Sequence, residues 1–278
     1  MKNITAFLFT YILCTVCTVA LAQSTVTDSL SIVNHQWKST KIAKGVVWKT
    51  AHISNLFNSN QIINIVEIDL KKNQKKLHLK ALPNSRELTS KLAKESKALV
   101  AINGGFFDMK NGGAVDFIKV NNQVINTTIS KSIRANAYLA FDTKTTKITS
   151  DSIAISFLPN IILAGPMLLT QKNRAFLTKN AFNDNRHPRT AVAIKHNKLL
   201  LITVDGRRSE SQGMSLHELA NILKWYGCDN AMNLDGGGST AMYIYNQSDN
   251  GIVNYPSDNN KFDHQGERKV SNIIYLTK

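Results

Sequence analysis

The chain has 278 residues, of which 43% are hydrophobic and 19% charged, so it can bury a large core and is too apolar for wholesale disorder. Three cysteines exclude a small domain held together by several disulfides, and the core must supply the stability. An excess of 34 Lys and Arg over 19 Asp and Glu gives a net charge of +15, which favours anionic partners.

The first residues are typical of a secretory signal peptide. Lys2 precedes an apolar run over 4–20, which ends in the small-x-small cleavage pattern Ala20-Leu21-Ala22. A membrane anchor is the alternative interpretation of this run. We expect residues 1–22 to be removed and the mature protein to be periplasmic or extracellular, without stable membrane insertion. Cys228 then remains as a lone cysteine, which we expect to be buried.

Removal of this segment takes away one lysine and no acidic residue, so the mature chain stays strongly basic. Export, and the lack of an arginine-aromatic pattern, argue against a nucleic-acid partner. The densest basic stretch is assigned to the solvated edge of a hairpin that turns at Asn73-Gln74. Its members are Lys71, Lys72, Lys75, Lys76 and Lys80. We expect a phosphorylated or other glycan as the partner, and the sequence does not define an oligomeric state.

The chain divides into a polar leader over 23–45 and one domain over 46–278, which shows neither an internal repeat nor a linker. Alternating apolar residues predict a strand over 62–70, paired through the hairpin with a strand over 76–82. Further strands are predicted at 98–103, 135–142, 152–158, 161–169, 190–196, 199–205, 230–234, 241–245 and 270–276.

Two helices are predicted, over 86–96 and over 216–226, and Gly227 ends the second. The strands at 190–196 and 199–205 should form a hairpin around Asn197-Lys198. Many short strands with few helices predict an α+β fold that is mostly antiparallel sheet.

Three predicted strands end in a polar residue followed by glycine. These junctions are Asn103-Gly104-Gly105, Asp205-Gly206-Arg207 and Asn233-Leu234-Asp235-Gly236-Gly237-Gly238-Ser239. Glycine permits positive φ and close approach of a ligand, and successive backbone N–H groups bind anions or sugar hydroxyls. The alternative is that each junction is only a tight turn. Three in one chain favour a shared site.

Two familiar motifs are excluded. The triple glycine lacks the Lys-Ser/Thr pair and the following helix of a phosphate-binding P-loop. His217-Glu218 begins a zinc-protease motif, but Asn221 stands where the second histidine is required. The remaining histidines are not at ligand spacing, so we expect neither a metal nor a cofactor.

Several charged residues near these junctions have two interpretations. Ser215-x-x-Glu218 fits a capping box, so Glu218 either caps a helix or takes part in catalysis. Arg189 either clamps an anion or is an ordinary edge-strand residue. Arg207 and Arg208 have the same ambiguity, with one of the two expected in solvent.

Taken together, six segments in order resemble the phosphodiester glycosidase family. They are 103–107, 165–166, 189–191, 205–207, 213–220 and 230–240. The resemblance covers residues 60–278 and implies a single phosphodiester-glycosidase-like domain. It also implies hydrolysis of a sugar-1-phosphate diester, typically α-linked N-acetylglucosamine, which releases the sugar from the phosphate.

The chemistry of this reaction fits the residues. Cleavage of the anomeric C–O bond has an oxocarbenium-like transition state that carboxylates stabilise, and arginine neutralises the departing phosphate. We predict Asp235 and Glu218 as the carboxylate pair, with Asp205 as the substitute if Glu218 only caps, and Arg189 and Arg207 as phosphate ligands. The predicted sugar-binding residues are Asn103, Gly104, Gly105, Asn233, Gly236, Gly237 and Ser239.

Two alternatives remain open from the sequence. One is a glycoside hydrolase that acts on non-phosphorylated polysaccharide, and the other is a non-catalytic glycan-binding module, because a fold does not fix a function.

Overall fold

The computed structural model describes residues 26–130, 132–247 and 250–278. The predicted signal peptide over 1–22 lies outside the described residues. Among the helices within these ranges, none is long and apolar enough to cross a membrane.

The described chain is built mainly of short strands. They are β1 (Lys38–Ala43), β2 (Val46–Ile53), β3 (Gln61–Asp69), β4 (Leu77–Ala81), β5 (Glu87–Leu88), β6 (Ala98–Asn103), β7 (Ile118–Val120), β8 (Gln123–Asn126), β9 (Ala137–Phe141), β10 (Thr146–Thr149), β11 (Asn160–Ala164), β12 (Met167–Thr170), β13 (Asn173–Arg174), β14 (Arg189–Lys195), β15 (Lys198–Val204), β16 (Asn230–Asn233), β17 (Met242–Ile244), β18 (Lys269–Val270) and β19 (Asn272–Thr277).

The helices are short. They are α1 (26–33), α2 (Leu70–Asn73), α3 (Thr89–Glu95), α4 (Ala181–Asp184) and α5 (Leu216–Trp225), with single 3₁₀ turns at Gln74–Lys76, Ile153–Ile155 and Gly237–Ser239. This composition confirms the predicted α+β class with mostly antiparallel sheet.

Three sheets surround the main core. The largest has the strand order β1-β2-β3-β15-β14-β16-β12-β13, the second β10-β9-β11-β7-β8, and the third β17-β6-β19-β4, and all their pairings are antiparallel. Val66, Ile102 and Ile162, one from each sheet, belong to a single buried cluster. A second cluster packs α5 against the other face of the large sheet through Leu219 and Ile65. β3 is therefore buried on both faces, which agrees with the apolar residues on both faces of its sequence.

The hairpin predicted around Asn73-Gln74 does not form. The Asp69 carboxylate accepts a hydrogen bond from the backbone N–H of Lys71 at 3.0 Å and caps α2, so the chain turns as a helix after β3. β4 pairs with β19 in another sheet, and β3 pairs with β2 and β15.

Two other predicted strands also differ. Residues 152–158 contain a 3₁₀ turn, because the Asp151 carboxylate accepts hydrogen bonds from the N–H groups of Ile153 and Ala154 at 2.9 and 3.1 Å. The strand predicted over 161–169 is divided at Gly165-Pro166, after which β12 joins a different sheet from β11.

Part of the predicted polar leader belongs to the folded body. β1 pairs with β2 from Lys38 to Ala43, and Ile32 is buried in the cluster around α5. Hydrophobic residues spaced along a mostly polar segment supply these contacts.

The predicted hairpin of β14 and β15 is confirmed, with the register running from Arg189 opposite Val204 to Lys195 opposite Lys198. β16 pairs with β14 on its other side. Because these neighbours are antiparallel, the start of β14 lies beside the ends of β15 and β16. The junctions at Asp205 and Asn233 and the side chain of Arg189 therefore meet at one edge of the sheet.

Candidate active site

A cavity of about 190 Å³ opens at this edge of the large sheet. Its wall is formed by Phe182, His187, Arg189, Arg207, Asp235, Gly236, Gly237, Gly238 and Arg268. Five predicted site residues are among them, namely Asp235, Arg189, Arg207, Gly236 and Gly237.

Asp235 is held by the turn that follows β6. Its backbone N–H donates to the carbonyl of Gly104 at 3.0 Å, and its own carbonyl accepts from Nδ2 of Asn103 at 2.7 Å. Burial raises the pKa of Asp235 to about 6, while the Ser239 hydroxyl and the Arg268 charge act in the opposite direction. The cavity thus contains a carboxyl group that titrates just below neutral pH.

Arg189 presents a fixed positive charge to the cavity. Its side chain is buried, and it donates through Nε to Met214 O and through Nη2 to the carbonyls of Phe182 and Asn185, each at 2.8 Å. Nη1 takes no part in these three bonds. Burial lowers the pKa of Arg189 to about 10, so it stays protonated at neutral pH.

Arg207 and Arg268 complete the cationic wall, and the glycines make room for them. A Cβ on Gly237 would lie 2.9 Å from Nη2 of Arg207, and Gly237 has a φ of +60°. Arg268 forms an ion pair with Asp258, and a Cβ on Gly238 would overlap that carboxylate. The triple glycine therefore lets guanidinium groups approach the backbone.

Four wall residues were not among the predicted site residues, namely Phe182, His187, Arg268 and Gly238, the last of which belongs to a predicted glycine junction. The ring of Phe182 contacts two guanidinium groups, and the Cζ atoms of Arg134 and Arg189 lie 5.5 and 5.3 Å from its centroid. Burial, with Arg189 and Arg207, lowers the pKa of His187. The proximity of His187 to Arg189 in sequence was a usable signal. Phe182 and Arg268 lie in none of the sequence motifs described above.

The asparagines predicted to bind sugar are placed elsewhere. Asn103 and Asn233 are completely buried and do not line the cavity. Asn103 Oδ1 accepts from Thr190 Oγ1 at 2.8 Å, and Asn233 Nδ2 donates to the carbonyl of Gly165 at 2.9 Å. These contacts assign both asparagines to holding the turns in place.

The backbone N–H groups of Gly104 and Gly105 are also engaged within the protein. They donate to the main-chain and side-chain oxygens of Asn272 at 3.0 and 2.7 Å. A Cβ on Gly104 would overlap Oδ1 of Asn272, so glycine is required here by packing. Ser239 is buried behind Asp235 and is absent from the cavity wall.

Glu218 is committed to the start of α5. Its carboxylate accepts from the backbone N–H of Ser215 at 2.9 Å, and the Ser215 hydroxyl accepts from the N–H of Glu218, which completes the predicted capping box. Arg186 donates from Nε to both carboxylate oxygens at 3.1 Å. Glu218 does not line the cavity, and these bonds favour the capping interpretation over a catalytic one.

Asp205, the predicted substitute, is buried beneath the site. Its Oδ1 accepts from Asn254 Nδ2 at 3.0 Å and from the N–H of Tyr255 at 2.9 Å. Oδ2 is buried without a hydrogen-bond partner among the described residues, and burial raises the pKa of Asp205 to about 6. Asp205 therefore anchors the segment that leads to Asp258 and Arg268, and its carboxyl group does not face the cavity.

No group of three or more His, Cys, Asp or Glu side chains within the described ranges is arranged to hold a metal ion. The cavity offers guanidinium groups, one imidazole and one carboxyl group, which suit an anionic ligand.

Comparison with known proteins places these features in a family. The family model described as phosphodiester glycosidase matches residues 96–277, from the start of β6 to the end of β19. This range contains every residue of the cavity wall.

Two curated relatives are distant and longer. The SPbeta prophage-derived uncharacterized protein YomE of Bacillus subtilis is 29% identical over 63% of this chain and 30% of its own length. The N-acetylglucosamine-1-phosphodiester alpha-N-acetylglucosaminidase of Bos taurus is 27% identical over 62% of this chain and 35% of its own. The chain thus spans about a third of the length of these relatives.

Solved structures share the fold. A hypothetical protein from Synechocystis matches with a TM-score of 0.70 and 15% identity, covering 87% of this chain and 64% of the other. The zebrafish N-acetylglucosamine-1-phosphodiester alpha-N-acetylglucosaminidase catalytic domain, auto-inhibited by its pro-peptide, matches with a TM-score of 0.67 and 23% identity, covering 87% and 88%. Because the family model spans well over half of the chain, the protein belongs to the phosphodiester glycosidase family.

Proposed function

We propose that the protein hydrolyses the glycosidic bond of a sugar-1-phosphate diester in the cavity at Asp235. The observation that carries this proposal is the grouping of one carboxyl group of raised pKa with Arg189, Arg207 and Arg268 on a single wall. An arginine-rich wall favours a substrate that carries phosphate over a neutral polysaccharide.

In the proposed reaction the bond between the anomeric carbon and the phosphate oxygen breaks, and water supplies the new hydroxyl group of the sugar. The phosphate departs as an anionic monoester whose charge the arginines stabilise. Because phosphate is a good leaving group, little general-acid help is needed. One ionised carboxylate, Asp235, then suffices to stabilise the positive charge at the anomeric carbon.

The sugar that we propose follows from the names of two relatives. The bovine and mouse proteins are named for an N-acetylglucosamine-1-phosphodiester, and α-linked N-acetylglucosamine is the sugar that we propose here. We further propose that the enzyme is exported and acts on a phosphorylated glycan in the periplasm or outside the cell, since its first residues fit a signal peptide.

Cleavage in ¹⁸O-labelled water by the purified protein tests the reaction type. We expect the label in the released sugar, because water attacks the anomeric carbon. Label in the phosphate would show attack at phosphorus and would overturn the glycosidase assignment.

A pair of isosteric variants tests the site. Asp235→Asn should lower kcat by about 10²–10⁴-fold with the fold retained. Glu218→Gln keeps an acceptor for the Ser215 N–H and should keep turnover within a few fold of the parent. Near-normal turnover of Asp235→Asn, or loss of turnover in Glu218→Gln, would contradict this assignment of the carboxylates.

A further inference from the structure

A second, more open cavity of about 420 Å³ adjoins the first. It is lined by Arg207, Arg208, Ser209 and Gln212. Arg207 lines both cavities, so the two cavities adjoin at this residue. A group bound in the second cavity would therefore lie beside a ligand of the first.

Arg208 lines this second cavity and has buried side-chain nitrogens without hydrogen-bond partners among the described residues. These nitrogens are Nε and Nη2. Arg208 as a whole is half-buried, but buried N–H donors are normally paired, because an unpaired buried donor is unfavourable. Both nitrogens are closed to solvent in this conformation, so an anion in the cavity reaches them when the Arg208 side chain turns outward, a movement that breaks no internal hydrogen bond of either nitrogen.

The loop that carries Arg208 is held firmly by backbone contacts. The N–H of Arg208 donates to the carbonyl of Ser211 at 3.1 Å, and the N–H of Gln212 donates to the carbonyl of Asn60 at 3.0 Å. Asn60 in turn donates through Nδ2 to the carbonyl of Ser209 at 3.0 Å. The two guanidinium groups are thus presented from a fixed backbone, as a binding site requires.

The charge of the wall selects the ligand. Both charged residues that line the second cavity are arginines. Glu210 on the same loop does not line it, and its exposed carboxylate accepts a hydrogen bond from the Ser209 hydroxyl at 3.0 Å. Two guanidinium groups with no carboxylate between them suit phosphate, to which arginine binds through parallel hydrogen bonds.

We propose that the second cavity binds a phosphate group of the aglycone. This inference rests on the proposed function, and it narrows the substrate class to glycosyl phosphodiesters whose alcohol carries a further phosphate. Arg189 and Arg268 face the scissile phosphodiester, Arg208 binds the second phosphate, and Arg207 lies between the two anions.

Two substrates that differ only in the aglycone test this proposal. One is the methyl phosphodiester of α-N-acetylglucosamine, and the other carries 3-phosphopropyl in place of methyl. At low salt we expect kcat/KM to be about tenfold higher for the phosphorylated aglycone. Arg208→Gln should bring the ratio of the two values close to one.

A surface variant controls for the loss of one positive charge. Arg174→Gln removes an exposed arginine of β13, which donates to Asn221, and should leave the ratio unchanged. The proposal would be overturned if the ratio of the two kcat/KM values were near one in the parent protein. It would also be overturned if Arg208→Gln left the tenfold ratio unchanged.

If neither substrate is cleaved, the proposed function fails and binding decides the second site separately. Calorimetric titrations would compare propane-1,3-diol bisphosphate with inorganic phosphate. We expect the bisphosphate to bind about tenfold more tightly, and Arg208→Gln, but not Arg174→Gln, to abolish the difference. Equal affinities of the two probes for the parent protein would refute a second phosphate site.

Discussion

The side-chain amide of Asn103 donates to the backbone carbonyl of Asp235 at 2.7 Å, across 132 positions of the sequence. Its oxygen accepts from the Thr190 hydroxyl and from the N–H of Ala241 at 2.8 and 3.1 Å. One buried side chain thus joins the ends of β6, β14 and β16, which belong to two sheets. The position of Asp235 depends on this junction.

Asn103→Ala should therefore disturb both stability and turnover. It leaves a buried carbonyl and a buried N–H without their partner, and we expect the free energy of unfolding to fall by about 2–3 kcal/mol. The displaced Asp235 should lower kcat by about 10–100-fold. Urea unfolding and steady-state kinetics measure the two effects. Asn173→Ala on the exposed strand β13 is the control, and an equal loss of stability there would contradict this role.

The pH dependence of activity should follow Asp235. Its pKa is raised to about 6, and the proposed reaction needs the ionised form. We therefore expect kcat/KM to rise with pH through about 6, because this parameter reports the free enzyme. Measuring kcat/KM at a series of pH values from 4 to 8 checks this rise. Activity that falls as pH rises through this range would show that the protonated carboxyl group is the active form.

Arg268 should influence the pH at which kcat/KM rises, which is the acidic limb of the pH profile. Its positive charge opposes the effect of burial on Asp235, so Arg268→Gln should raise the pKa of Asp235 and move the acidic limb to higher pH, with a larger KM. Arg268→Lys keeps the charge and should move the limb less. Both profiles are measured with the same substrate. An unmoved limb in Arg268→Gln would separate Arg268 from the electrostatics of Asp235.

Asp205 should make stability depend on pH. Its pKa is raised by burial from 3.8 to about 6, so the folded state keeps the proton that the unfolded state releases. The contribution of this group therefore decreases as pH rises from about 4 to 6, by about 2–3 kcal/mol. Urea titrations of the parent protein and Asp205→Asn across this range should show the difference between their unfolding free energies changing in that sense. A constant difference would contradict the buried, proton-binding role.

The positions of the strands and of the glycine junctions could be predicted from the sequence better than the side-chain contacts at those junctions. β6 followed from a short apolar run, and the hairpin of β14 and β15 followed from two apolar segments separated by Asn197-Lys198. The glycine junctions marked the edge where the cavity opens. The hairpin at Asn73-Gln74 failed because Asp69 caps a helical turn, a local bond that competes with sheet pairing.

The site was predicted less completely, because side-chain direction is decided by tertiary packing. Asn103 ends β6 and Asp235 comes two residues after β16, and glycine follows each. Nevertheless Asn103 is buried in a junction, whereas Asp235 lines the cavity. Arg268 lies in an irregular segment, and its ion pair with Asp258 is a contact between side chains that the sequence does not predict. No pattern within the chain distinguishes such an arginine from a surface one.

Gly238 limits how the shape of the cavity could change by substitution. The Arg268 and Asp258 side chains occupy the volume that a Cβ on Gly238 would need. Even alanine at position 238 would therefore displace them. Replacing Gly238 by a slightly larger residue therefore cannot narrow the cavity without moving the Arg268–Asp258 pair. Phe182 also lines the cavity and takes no part in the Arg268–Asp258 ion pair, so its substitution would alter the shape of the cavity and leave that pair in place.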